Sequence, residues 1–376
     1  MTVTRTGSGY GGIRAAVMRG GTSKGVFVAE ADLPEAPAQR DDLILRIMGS
    51  PDPDQIDGLG AATATTSKFA YVGGSTRPGV DLEYAVAAVG VTEPIVDWSG
   101  TCGNLTAAVV PFALAAGLIE RDNESNAFTL LNRSTGRLVR VTVELEDGQA
   151  RTTGATRIDG VPSPGAPILC EYLDPAGGVL GSALPTGAPI DRVDLDGTQV
   201  PVTVVDVTHP YAFVPAGVLG GRETPAAVNA DTALLARLER LRGVVAAALG
   251  LVIDPADAAT RSPSVPRLVV VGPGAGGSGG SVVTGLALSM GRAIPAIPVT
   301  ASLALAAAVT VRGSVPAQVC AAAPAPGSPI RIGHPAGAIE VTARWDDEGA
   351  LRSVGILRTA RMLSTGVVFP REEMDT

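Results

Sequence analysis

Gly100-Thr101-Cys102-Gly103-Asn104 runs straight into Leu105-Thr106-Ala107-Ala108-Val109-Val110-Pro111-Phe112-Ala113-Leu114-Ala115-Ala116-Gly117-Leu118. The second part reads as a helix that is apolar on almost every side, and such a helix has to be enclosed by protein. The flanking sequence supplies short strands to enclose it, at 13–18, 26–28, 69–72 and 80–89 before it and at 128–131 and 138–145 after it. Thr300-Ala301-Ser302 opens a second all-apolar helix, 303–311. It lies among strands at 200–207, 211–214, 267–271, 282–290, 339–345 and 353–361. Amphipathic helices are expected at 41–49 and 224–250. Each half repeats one grammar: short strands around a buried helix whose N-terminus follows a small-residue loop. The expectation is an α+β chain of two similar domains with a cleft between them. A Gly/Pro-rich passage at 162–189 separates them, giving domains 1–190 and 191–376, with the C-terminal strand free to return to the first.

A chain of 376 residues exceeds the size at which one core stops growing. With 45% hydrophobic and 3% aromatic residues, its cores must be built from Val, Leu, Ile and Ala. The formal net charge of −8, without a basic run, argues against a nucleic-acid partner. Positive potential for an anionic ligand would have to be local. Three cysteines form no Cys-x-x-Cys pair, and two histidines lie far apart, so neither a disulfide framework nor a metal site is expected. Residues 1–12 are polar and lack the pattern of a signal peptide. The apolar runs 244–253 and 299–311 are too short to span a bilayer. These features predict a soluble, cytoplasmic protein.

The chain has two lysines, Lys24 and Lys68, and both end a Thr-Ser-Lys tripeptide. All other basic side chains are arginine, which cannot give up its proton, whereas a buried lysine can and then serves as a base. Around Lys24, Arg19-Gly20-Gly21-Thr22-Ser23-Lys24 combines a guanidinium that can grip a carboxylate with a run of backbone N–H groups able to form an anion nest. The alternative is a Gly-rich hairpin turn with no ligand. The Walker order is absent, because Lys24 follows Ser23 rather than Gly. Cys102 sits at a helix N-terminus, where the positive end of the macrodipole favours thiolate, and Gly103 and Asn104 leave N–H groups for a carboxylate. The alternative there is a small core cysteine. Gly274-Ala275-Gly276-Gly277-Ser278-Gly279 matches a dinucleotide-binding loop in form. No Asp or Glu follows before Glu340, so the ribose partner is missing. His334, in Gly333-His334-Pro335-Ala336-Gly337, taken alone is a loop residue.

Together these stretches resemble the PrpF family of the diaminopimelate-epimerase-like fold. That family includes 4-oxalomesaconate tautomerases, 3-methylitaconate Δ-isomerases and the accessory protein of the methylcitrate pathway. The resemblance runs through Met18–Gly25, Asp32-Leu33-Pro34, Gly49-Ser50-Pro51-Asp52, Gln55-Ile56-Asp57-Gly58-Leu59-Gly60, Thr66-Ser67-Lys68 and Cys102-Gly103-Asn104. It continues with Ser289-Met290-Gly291, Gly333–Gly337 and Arg358-Thr359-Ala360-Arg361. It implies two pseudo-symmetric domains, each a curled β-sheet or barrel around a central apolar helix, with the active site between them. It implies Lys68 and Cys102 as the catalytic pair. The implied polycarboxylate site is lined by Arg19, Gly20, Gly21, Thr22, Ser23, Lys24, Thr66, Ser67, Gly103 and Asn104, joined by Thr300 and His334.

Two departures stand out. The family usually has a histidine after Ser-Met-Gly, where this chain has Arg292-Ala293-Ile294-Pro295. Its Thr-Gly at the second helix start is here Thr300-Ala301, and Ser302 follows with no cysteine, which disfavours a two-thiol racemase. The expected function is a cofactor-independent isomerase or tautomerase that shifts a C=C bond in a small unsaturated polycarboxylate by proton transfer. The alternative is a non-catalytic polycarboxylate-binding accessory protein for an aconitase-like dehydratase. The oligomeric state is open, with a homodimer as the candidate assembly.

Overall fold

The computed structural model describes residues 11–98, 102–120, 126–275, 280–289, 291–325 and 327–372. Gly100 and Thr101, Gly276–Gly279, Met290 and the first ten residues, all part of the sequence reading, lie outside the described residues. The chain divides into two compact units, Met1–Glu171 with Leu357–Thr376, and Tyr172–Ile356.

The first unit starts with a hairpin of β1 (Ile13–Gly20) and β2 (Ser23–Ala29), followed by α1 (Pro37–Met48), β3 (Lys68–Gly74), β4 (Leu82–Val89) and the short β5 (Val96–Asp97). Helix α2 (Gly103–Ala115) and the hairpin of β6 (Ala127–Asn132) and β7 (Arg137–Val143) follow. Strand β1 pairs antiparallel with β2, β2 parallel with β3, β3 antiparallel with β4, β4 parallel with β6, and β6 antiparallel with β7. The strand Ala360–Val368 pairs antiparallel with the free side of β1. This mixed sheet curls round α2, which packs against β1, β2, β3, β7 and Ala360–Val368. Eleven of the 13 residues of α2 are buried, as its uniform apolarity requires. Four of them are Ala or Gly, small enough to let the surrounding strands approach the helix closely.

The second unit repeats the plan in the same order. Thr198–Val207 pairs antiparallel with His209–Pro215, which runs parallel to Arg267–Pro273. That strand pairs antiparallel with Val283–Ser289, then comes the parallel partner Ile330–His334 and its antiparallel neighbour Gly337–Trp345. The helix Val299–Thr310 falls between the fourth and fifth strands of the series, as α2 does in the first unit, with nine of its 12 residues buried. Arg267–Pro273 pairs antiparallel with Val283–Ser289, whereas in a dinucleotide-binding unit the strand before the glycine loop has a parallel neighbour reached through a helix.

Two elements differ from the sequence expectation. The single helix expected over 224–250 is two, Pro225–Ala230 and Thr232–Ala248, because Asp231 turns its backbone to an extended conformation and caps the second by accepting from Leu234 N–H at 2.9 Å. The strand expected over 353–361 is likewise two, Leu351–Arg358 and Ala360–Val368. The break at Thr359 comes just after the chain passes from the second unit back into the first. The later strand runs on beyond Arg361 to Val368, held by its antiparallel pairing with β1. No helix among the described residues is long and apolar enough to cross a membrane.

Candidate active site

The hairpin turn Gly21-Thr22, the start of β3 and the start of α2 meet at one end of the first unit. Gly21 adopts φ +49°, and a Cβ there or on Gly20 would overlap Asn104 of α2, so glycine is needed at both positions. The Lys24 N–H donates to Thr65 O at 2.9 Å, which sets the two Thr-Ser-Lys tripeptides side by side. Lys68 is the first residue of β3, opposite Ala88 of β4. Its carbonyl oxygen lies 2.9 Å from the point a Gly25 Cβ would occupy, and Leu105 Cδ1 of α2 lies at the same distance from that point. Lys24, Lys68, Cys102 and Asn104 are all partly exposed, so each can meet a solvent-borne ligand.

Cys102 is the N-cap residue of α2, in extended backbone, and its side chain makes no capping bond. The thiol therefore stands at the positive end of a 13-residue helix whose first N–H groups it leaves to another acceptor. Its Sγ is 4.0 Å from Ser23 Oγ. Asn104 Nδ2 donates to Thr22 Oγ1 at 3.0 Å and to Ser23 Oγ at 3.4 Å, clasping the hairpin turn to the helix start. Arg19 donates through Nη1 to Gly21 O at 3.0 Å and Thr359 O at 2.9 Å, and the Gly21 N–H donates to the same Thr359 O. Burial, and next the Arg361 guanidinium, hold Arg19 below the ordinary arginine value. Arg19 thus shapes the turn as well as supplying charge.

Ser67 and Thr66 are tied into the preceding loop. Thr66 Oγ1 donates to Ala61 O at 2.8 Å. The Ser67 hydroxyl is wholly buried and accepts from Gln55 Nε2 at 2.8 Å, while the same Nε2 donates to buried Ser50 at 2.9 Å. Gln55 Oε1 accepts from Ala62 N–H at 2.9 Å. One side chain therefore fastens both ends of the loop that delivers Lys68. Gln55→Ala is expected to lower the unfolding free energy by about 2–4 kcal/mol, since it leaves two hydroxyls and an amide without a partner. Urea denaturation measures it, and a change below about 0.5 kcal/mol, typical of a surface site, would mean that the loop holds itself.

Of the residues named from sequence, Arg19 to Lys24, Thr66 to Lys68 and Cys102 to Asn104 come together here. Thr300 and His334 belong to the second unit. Thr300 is the second residue of the helix Val299–Thr310, and its Oγ1 lies 2.7 Å from Tyr211 OH. His334 ends a strand, and its Nδ1 accepts from the Ala336 N–H at 3.2 Å. Among the described residues no cluster of three or more His, Cys, Asp and Glu gathers as metal ligands would. Two contributors were missed by sequence reasoning. One is Gln55, which lay within a quoted motif without a role. The other is Arg358, likewise within a quoted motif without a role, a buried guanidinium whose Nε donates to Asn104 Oδ1 at 3.0 Å. A charged residue directly after the apolar run Val354-Gly355-Ile356-Leu357 was the available signal for it.

Comparison with known proteins shows where the chain belongs. The model of the family described as PrpF protein matches residues 12–370. The chain is 36% identical to 3-methylitaconate isomerase of Eubacterium barkeri, over 95% of this chain and 97% of the relative. It is 37% identical to (4E)-oxalomesaconate Delta-isomerase of Novosphingobium sp. (strain KA1), over 94% and 96%. A crystal structure of methylitaconate-delta-isomerase superposes with a TM-score of 0.88 at 35% identity, covering 96% of each chain. A probable proline racemase from Agrobacterium radiobacter K84, at 14% identity and a TM-score of 0.52, covering 96% of this chain and 93% of that one, shares the epimerase-like fold.

Proposed function

The chain belongs to the PrpF family and is an isomerase, as its relatives are, and on that premise we propose that it transposes a C=C bond in a small unsaturated polycarboxylate. The shift proceeds by proton transfer between side chains and substrate, without a cofactor. The observation that carries this reading is the meeting of a lysine at a strand start, a thiol at a helix N-terminus and a clasped glycine turn at one end of the first unit.

In this mechanism the amine of Lys68 takes an allylic proton from the carbon next to a conjugated carboxylate or keto group. The electron pair left behind spreads over the allyl system and the activating oxygen as a dienolate. Negative charge grows on that oxygen, and preorganised donors aimed at it stabilise the transition state most. The Gly20–Lys24 turn, the first N–H groups of α2 and the Arg19 charge are suited to that task. Cys102 returns a proton to the far end of the allyl system, which completes the shift with no net gain or loss of protons. Lys24 holds a carboxylate.

The names of the relatives make 3-methylitaconate and oxalomesaconate the first substrates to test, followed by aconitate and methylaconitate. Proton NMR of purified protein with each acid in deuterated buffer decides the matter. Isomerisation of one of them, with deuterium entering at the carbon that gains a proton, is the expected result. Binding of these acids without exchange would overturn the isomerase reading in favour of an accessory, ligand-carrying role.

A further inference from the structure

We infer that Arg358 is a positioning residue that acts on Cys102 through Asn104 and Ser23. Its guanidinium is buried, 6% exposed, in the first unit. Nη1 donates to Leu357 O at 2.9 Å, which anchors the head group to the backbone, and Nε donates to Asn104 Oδ1 at 3.0 Å. A guanidinium has donors and no acceptor, so the amide must present its oxygen to Arg358 and its NH2 group to the other side. There Nδ2 meets Thr22 Oγ1 and Ser23 Oγ, and Ser23 Oγ in turn faces Cys102 Sγ.

The polarity of this chain follows from its charged end. Arg358 donates to Asn104, Asn104 donates to Ser23, and the Ser23 hydroxyl proton is left to turn towards sulfur when Cys102 has given its own proton away. Each bond polarises the next, so a buried charge at one end strengthens the donor at the other. Without Arg358 the amide can flip, set its oxygen against the two hydroxyls and draw the Ser23 proton off the sulfur. Arg358 thereby selects one of two amide orientations, and that orientation leaves the Ser23 hydroxyl proton free to face the sulfur.

This inference rests on Cys102 being the working thiol, so its test reads the thiol itself rather than turnover. Cys320→Ser provides the background, because Cys170 is fully buried and burial pushes its thiol up to about 12, leaving Cys102 as the reactive cysteine. In that background Arg358→Lys and Asn104→Ala are each expected to slow iodoacetamide alkylation of Cys102 by about tenfold, the size of one charge-assisted hydrogen bond. The double variant is expected to be no slower than Asn104→Ala alone, because the two residues act in series. Wild-type alkylation in Arg358→Lys, or multiplied effects in the double variant, would overturn the relay. Should Arg358→Lys not fold, Asn104→Ala still decides, since a wild-type rate there removes the link between amide and sulfur. Once a substrate is in hand, Arg358→Lys should lower kcat more than it raises KM. If no substrate turns over while the alkylation pattern holds, the isomerase reading fails and the relay stands.

Discussion

Replacing Lys68 by Met is expected to abolish deuterium exchange into the substrate and to lower kcat by about 10³-fold, within the range that positioned acid–base groups supply. Methionine keeps the unbranched length of the side chain and removes only the amine. The fold should tolerate it, because Lys68 is partly exposed and β3 is held by the buried run Phe69-Ala70-Tyr71-Val72 that follows. Lys68→Arg should stop the chemistry almost as completely, since a guanidinium stays protonated. Lys24→Arg keeps a cation beside the same turn and is expected mainly to weaken binding. Exchange in the Met variant at the wild-type rate would remove Lys68 from proton transfer, and equal losses of kcat at the two lysines would undo the division between them.

Cys102→Ser carries the second large effect, a loss in kcat of about 10²–10³-fold if the thiol carries a proton. The structure makes this substitution unusually clean. Cys102 occupies the N-cap of α2 without capping it, and serine is among the best N-cap residues. The variant should therefore be as stable as the parent or more stable by about 1 kcal/mol, with a raised Tm, while its activity falls. Loss of function with undiminished stability separates a chemical role from a packing one. Near-normal turnover would make Cys102 a structural residue.

Much of this was legible in the sequence, for identifiable reasons. The two buried helices announced themselves because α2 and Val299–Thr310 have no polar side, and the strands around them followed. The hairpin turn, the Thr-Ser-Lys pair and the Cys-Gly-Asn start of α2 were visible because rare residue types sit in tight backbone settings. Residues that act at a distance along the chain were not visible. Arg358 meets Asn104 across 254 positions, and Gln55 acts on Ser50 and Ser67 through a loop whose path no local pattern specifies. The split at Asp231 was readable in principle, since an Asp before Thr-Ala-Leu-Leu is a good helix cap. It was obscured by apolar periodicity that continues across it.

The pairing of β1 with Ala360–Val368 bears on how the polypeptide matures. The first 171 residues emerge from the ribosome with one side of β1 bare, and its partner is made only after the whole second unit has been synthesised. Until then that side is an unpaired strand edge, open to association with other chains. Closing it requires contacts between β1 and a strand made only after the second unit, which places this step among the late and slow events of folding. The same terminal strand is continuous with Arg358 and Thr359, which dock on Asn104 and on the Gly21 turn. Completion of the site thereby waits on synthesis of the strand that follows the second unit, and a nascent chain that stops short of Arg358 lacks the groups that order its thiol.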